Sequence, residues 1–290
     1  MKPLERLIPR STAPGLRGFV VFCLMLLVPL FDAAAGVLVA PTIVFISSKQ
    51  RTGRLTVQNP TDTPKEITIR FSFGLPVSDS LGQVHIALQD SAVTDPHSAL
   101  GWVKAFPRKL ILPPSGEQII RFVASPPADL PEGEYWARIV VQSREAETAV
   151  PPASEEGIIT TRLNMVMQTA MMLKFRKGNL VSQLEVTGME VRRDSGNVEV
   201  TVDMTSQGNA SYVGLLNCRL LDADNRELSS QSVQLAVYYS LRRRVFLPVT
   251  GSDFKEPYHV ELAISTRGRT DIAAEDMIHG NNIMLTQTPE

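Results

Sequence analysis

The side chains able to bind a metal ion or act as a nucleophile are scattered along this chain. The four histidines share no metal-ligand spacing with each other or with Cys218. They are His85, His97, His259 and His279. No nucleophile elbow, phosphate-binding loop or pair of carboxylates occurs in a recognisable frame. The sequence therefore predicts a protein that is not an enzyme and holds neither a cofactor nor a metal ion.

A cluster of methionines is the second chemical candidate, because thioethers bind Cu(I). The four are Met165, Met167, Met171 and Met172. No histidine accompanies them, and neighbouring residues of a strand point to opposite faces, which separates Met171 from Met172. Packing, either in a core or against another strand, is favoured over copper.

The N-terminus has the pattern of a secretory signal peptide. A basic stretch that ends at Arg17 precedes an apolar run from Gly18 to Phe31, and Ala33 to Ala35 fits a cleavage site. We predict a signal peptide over residues 1–35, with an uncleaved anchor as the alternative and no stable membrane span after its removal. Cys218 is then the only cysteine left and cannot form an internal disulfide, so we interpret it as a small buried apolar residue.

Composition limits the partners. The 29 Lys and Arg residues nearly balance 30 Asp and Glu residues, so net charge gives no indication of nucleic-acid binding. Apolar residues make up 43% of the chain, which is enough for a packed core and too little for a protein with many membrane spans.

Alternating apolar and polar residues dominate the rest of the chain and predict strands. Ile67, Ile69 and Phe71 alternate with polar residues, and the same period of two recurs up to the segment 260–264. Turn residues separate these runs, as in an antiparallel sandwich. Residues 84–100 are the least strand-like and suggest an excursion loop with a short helical turn.

The polar turn Lys177-Gly178-Asn179 marks a predicted domain boundary. It divides the chain after the signal peptide into residues 36–177 and 180–290, each of a size typical of one sandwich. The fold class is therefore predicted to be all-β, with two immunoglobulin-like β-sandwich domains in tandem.

The first domain resembles the N-terminal domain of the periplasmic chaperones that assemble pili with an outer-membrane usher. Four stretches carry the resemblance in the expected order. They are Val39 to Phe45, Arg54 to Asn59, Phe106 to Pro114 followed by Gln118 to Arg121, and Leu130 to Tyr135. The segment from Leu163 to Arg176 is similar to the seventh strand of that domain.

The resemblance implies a donor strand, which fills the gap in an incomplete pilin-like subunit by adding a strand to its sheet. Matching the family pattern residue by residue places Leu163, Met165 and Met167 at the donor positions. The alternative is that these three side chains face the core of their own domain. The implied location is the periplasm, and the implied partners are pilin-like subunits and an usher.

Two positions depart from the family pattern. The family holds the terminal carboxylate of the subunit with an Arg on the first strand and a Lys on the seventh, where this chain has Ile43 and Met172. Lys174, two residues further along, is the alternative anchor. The resemblance also implies an interdomain ion pair between Glu134 and Arg176.

Two functions remain open from the sequence. The first is a periplasmic chaperone-like protein that binds fimbrial or surface-structure subunits by donating an edge strand. The alternative is a structural β-sandwich component of a surface assembly without chaperone activity.

Overall fold

The computed structural model describes residues 36–89, 94–146, 165–194, 196–249 and 257–288. In these ranges the regular structure consists of strands apart from one 3-10 turn at Ala274–Asp276. The alternation noted above explains this result, since Ile67 and Ile69 are buried while Thr68 and Arg70 between and beyond them are not. The predicted all-β class is confirmed.

The first sandwich is built from ten strands. They are β1 (Leu38–Ala40), β2 (Ile43–Ser47), β3 (Thr52–Gln58), β4 (Lys65–Ser78), β5 (Val84–Gln89), β6 (Val103–Phe106), β7 (Lys109–Leu112), β8 (Glu117–Ala124), β9 (Gly133–Glu145) and β10 (Val166–Lys177). One sheet has the order β1-β3-β8-β6, and the other has the order β2-β10-β9-β4-β5 with β7 also paired to β4. A shared core that includes Leu55, Phe122, Ile139 and Leu173 lies between them.

The second sandwich is built from seven strands. They are β11 (Leu184–Asp194), β12 (Asn197–Ser206), β13 (Tyr212–Leu221), β14 (Glu227–Val237), β15 (Ser240–Pro248), β16 (His259–Ser265) and β17 (Ile283–Gln287). They form sheets of order β11-β12-β15 and β14-β13-β16-β17. Their inner faces enclose a second core, in which Cys218 and Tyr212 are fully buried.

The connection between the sandwiches requires a glycine. Gly178 has a φ of 70°, and a Cβ at this position would collide with the carboxylate of Glu132. The prediction of two sandwich domains is confirmed, whereas the boundaries 36–177 and 180–290 stay predictions. The predicted signal peptide lies outside the described residues, and no helix within the described part is long and apolar enough to cross a membrane.

The expectation of an excursion loop over residues 84–100 is wrong in its first part. Val84–Gln89 is a strand that pairs antiparallel with the second half of β4, from Phe73 to Ser78. Ile86 and Leu88 are exposed, so β5 lacks the buried face that identifies a strand in a sequence. Its backbone pairing to an unusually long β4 stabilises it instead.

Candidate functional site

Among the described residues, one edge of β10 is unpaired over half of its length. On one side β10 pairs with β9 throughout, from Val166 to Lys177. On the other side β2 pairs with it in parallel only from Met172 to Arg176. Along residues 166–171 no described strand covers this second side, so backbone N–H and C=O groups there are available to another strand.

Apolar side chains occupy this open half. Met165 is 58% exposed, Val166 47% and Met167 37%. Met165 and Met167 have the same strand parity as Met171, which is buried in the core of the first sandwich. The apolar row on the inner side of β10 therefore continues past the end of its own core. Leu163 lies outside the described residues.

The two apolar residues at which the sequence resemblance implied anchoring cations, Ile43 and Met172, lie together in the structure. Met172 and Ile43 are direct partners in the parallel pairing of β10 and β2. They contact a buried cluster that also contains Trp136 and Tyr238. We call this set, with Phe73 and Leu75, the cleft cluster. It joins the outer face of the six-stranded sheet to Tyr238 of the second sandwich.

Glu134 is the centre of a buried polar network beside the cleft cluster. Its Oε1 atom accepts hydrogen bonds from Lys174 Nζ at 2.9 Å, Ser211 Oγ at 2.6 Å and Trp136 Nε1 at 2.9 Å. Its Oε2 atom accepts one from Arg176 Nε at 2.9 Å. Both carboxylate oxygens are thus fully used, as a buried charge requires.

The electrostatics keep Glu134 ionised. Burial alone would raise its pKa, but the positive charges of Lys174 and Arg176, together with the Ser211 hydrogen bond, outweigh burial and lower the pKa to about 2. Arg176 also donates to the carbonyl oxygen of Asp276 at 2.6 Å. Because Ser211 and Asp276 belong to the second sandwich, the network ties the two sandwiches together.

Lys174 is not presented as an alternative anchor, which corrects the expectation from the sequence. Its side chain is buried, and its ammonium group bonds to Glu134 and Ser211. It is therefore a member of the interdomain network and is not free for a partner carboxylate at the open edge. The sequence could have indicated that Lys174 joins Arg176, because every second residue of a strand lies on the same face and Lys174, Arg176 and Met172 therefore share one face of β10.

The other chemical candidates are packing residues. Met171 lies in the first core and Met172 in the cleft cluster, so these two do not form one site. Burial raises the pKa of the Cys218 thiol to about 12. Among the described residues no group of three His, Cys, Asp or Glu side chains could hold a metal ion.

Comparison with known proteins finds solved structures that are similar to this chain. The chain is similar to pilus-type chaperones. The YadV chaperone matches with 13% identity over 87% of this chain and 98% of that chain, at a TM-score of 0.41. The CupB2 chaperone of Pseudomonas aeruginosa matches with 15% identity over 87% of this chain and 100% of that chain, at a TM-score of 0.42.

A third similar structure contains the SafA pilin of Salmonella enterica in complex with the SafB chaperone. It matches with 13% identity over 87% of this chain and 96% of that chain, at a TM-score of 0.40. No protein-family model and no curated protein sequence matches the chain.

Proposed function

We propose that this chain is a periplasmic chaperone that holds incomplete β-sandwich subunits of a fimbria or another surface structure. The open half of β10 donates a strand to the subunit. The observation that carries the proposal is the combination of a free backbone edge along residues 166–171 with exposed Met165 and Met167. An outer-membrane usher, to which the loaded chaperone delivers its subunit, is the second proposed partner.

The physics of the edge supports this role. A partner strand gains main-chain hydrogen bonds from β10, while the apolar row fills the space that its own missing strand leaves empty. Methionine is unbranched and flexible, so one row adapts to grooves of different shape. Without a partner, no described strand pairs with this edge and Met165 and Met167 are exposed, which is typical of a binding surface and not of a core element.

The network around Glu134 supports the role in a second way. A buried carboxylate bonded to groups from both sandwiches fixes the position of one sandwich against the other. The open edge is therefore presented on a rigid frame, which lowers the ordering cost of binding.

The test is co-expression of the chain with a pilin-like subunit encoded beside its gene, followed by size-exclusion chromatography. The Met167→Glu variant should abolish the complex, because it places a charge in the apolar row, while the unfolding temperature of the free protein stays within about 2 °C. The matched control is Met284→Glu, since Met284 is 78% exposed on the edge strand β17 of the second sandwich. It should leave the complex intact.

Two results would argue against the proposal. If Met167→Glu unfolds the free protein, the apolar row is part of the core. This result would favour the alternative function, a structural β-sandwich component without chaperone activity. If the variant folds and still forms the complex, the open half of β10 is not the binding edge.

A further inference from the structure

A cavity of about 210 Å³ lies between the hairpin of β4 and β5 and the second sandwich. Its walls are aliphatic on both sides. The hairpin contributes Pro76, Val84 and Ile86, and strands β14 and β15 contribute Leu235, Ala236 and Leu241. In the six-stranded sheet β9 and β4 separate β5 from β10, so the cavity is distinct from the open half of β10.

Arg243 places a positive charge at the margin of the second core. It has the same strand parity on β15 as Leu241 and Val245, which are buried in that core. Its direct partner on β12 is the fully buried Val202. Its side chain lines the cavity, and its Nε atom is sealed from water without a hydrogen-bond partner. Withdrawing an N–H group from water without a partner costs free energy, so packing alone does not explain an arginine at this position.

The other arginines around the cavity have carboxylate partners. One of them, Arg269, also lines the cavity, and two lie beside Arg243 in the sequence on the outer side of β15. The ion pairs are Arg269 with Asp271, Arg242 with Asp203, and Arg244 with Glu199. Among the described residues, no carboxylate pairs with Arg243 and none lines the cavity. The cavity therefore holds one positive charge that lacks a counter-ion.

We infer that this cavity binds a medium-chain fatty acid, whose carboxylate pairs with Arg243 and whose chain lies against the aliphatic walls. A guanidinium donates two parallel hydrogen bonds to a carboxylate, and apolar surroundings strengthen the attraction. Each methylene withdrawn from water adds to the affinity, and no described aromatic side chain lines the cavity, which favours an acyl chain over a ring.

The size of the cavity limits its occupant. Sites for drug-sized ligands have volumes of roughly 300–1,000 Å³, so this smaller cavity fits one short chain and not a whole phospholipid. The single uncompensated arginine matches one negative charge. The inference does not depend on the proposed function, because the site uses neither β10 nor a subunit.

Calorimetric titration with sodium octanoate tests the site, with the probe kept below its micelle concentration and the ionic strength held constant. Octanoate should bind in a saturable way, with one molecule per chain. Sodium acetate carries the charge without the chain, and octanamide carries the chain without the charge. Each of these two should bind about tenfold more weakly than octanoate, or weaker still.

Variants on both walls assign the binding to the cavity. Arg243→Met keeps the length of the side chain without its charge and should weaken octanoate binding about tenfold or more, to the level of octanamide. Arg244→Met is the matched control and should keep the affinity, because Arg244 lies on the outer side of β15 with Glu199.

Ile86 provides a test from the opposite wall. Ile86→Glu should abolish octanoate binding, because its carboxylate competes for Arg243, whereas Ile86→Gln should retain most of the affinity. Ile86 is 43% exposed, so the unfolding temperatures of both variants should stay close to that of the wild type.

The absence of saturable octanoate binding to the wild type would overturn the inference. So would equal binding of octanamide, or octanoate binding that survives in folded Arg243→Met or in Ile86→Glu. Met167→Glu separates the cavity from the exposed methionines of β10. It should leave octanoate binding unchanged, and a loss of binding would place the fatty acid on β10 and overturn the assignment to the cavity.

Discussion

Replacement of Glu134 by glutamine removes the one carboxylate that the buried cations share. Glu134→Gln keeps the shape of the side chain but leaves the Lys174 ammonium without a counter-charge, in a position that water does not reach. Breaking a buried ion pair in this way costs about 3–5 kcal/mol of unfolding free energy. In a chain of this size, that loss corresponds to a fall of roughly 6–20 °C in the unfolding temperature.

The lowered pKa of Glu134 gives an independent value for the stabilisation by its ion pairs and also the direction in which stability changes with pH. The pKa of Glu134 falls from 4.5 to about 2 on folding, which corresponds to about 3 kcal/mol. Because the folded-state pKa is the lower one, the stabilisation is fully present above pH 4.5 and is lost as the pH falls towards 2. The stability difference between wild type and Glu134→Gln should therefore shrink over this range.

Urea unfolding at several pH values between 7 and 2 is the assay. Glu190→Gln is the control, because Glu190 pairs with Arg192 at the surface and its loss should change stability by less than about 0.5 kcal/mol. A difference between wild type and Glu134→Gln below about 1 kcal/mol at pH 7 would refute the reasoning. So would a difference that stays constant from pH 5 to pH 2.

Three further predictions concern packing and backbone. Because burial raises the pKa of Cys218 to about 12, iodoacetamide at pH 8 should modify this thiol only after unfolding, as followed by mass spectrometry; rapid modification of the folded protein would contradict its burial. Leu173→Ala should lower the unfolding free energy by about 2–5 kcal/mol in urea titrations, since Leu173 is fully buried in the first core. Gly178→Ala should cost about 1–2 kcal/mol because of its positive φ and the contact with Glu132, and an unchanged midpoint would show that the connection relaxes freely.

Much of the fold could be predicted from the period of two. The buried rows on the first half of β4 and on β12 consist of residues whose alternation is visible in the sequence, such as Ile69 and Val200. β5 could not be predicted in this way, because it buries neither face and depends on the length of β4. Alternation of apolar and polar residues reports that one face of a strand is buried. A strand that is held by backbone pairing alone does not show this alternation.

The site could be predicted only in part. The alternation along the strand placed Met165 and Met167 in one row, because it is a property of the local chain. The closeness of Ile43 and Met172, which are far apart in the sequence, was expected only from the family resemblance. The role of Lys174 depends on Ser211, which is far away in the sequence, and no local pattern reports that contact.

β2 covers the edge of β10 only from Met172 onwards, and this limits how an added strand can be aligned with β10. A segment that pairs with residues 166–171 reaches Ile43, the first residue of β2, and cannot extend past it, because β2 occupies the same edge of β10 from that point on. Six residues of strand span about 20 Å. A slip by one residue would turn every side chain of that segment to the opposite face. Because β2 fixes where the added strand must end, it favours one register of that strand on β10. A segment whose apolar residues face the wrong side in this register would bind poorly, whatever its overall hydrophobicity.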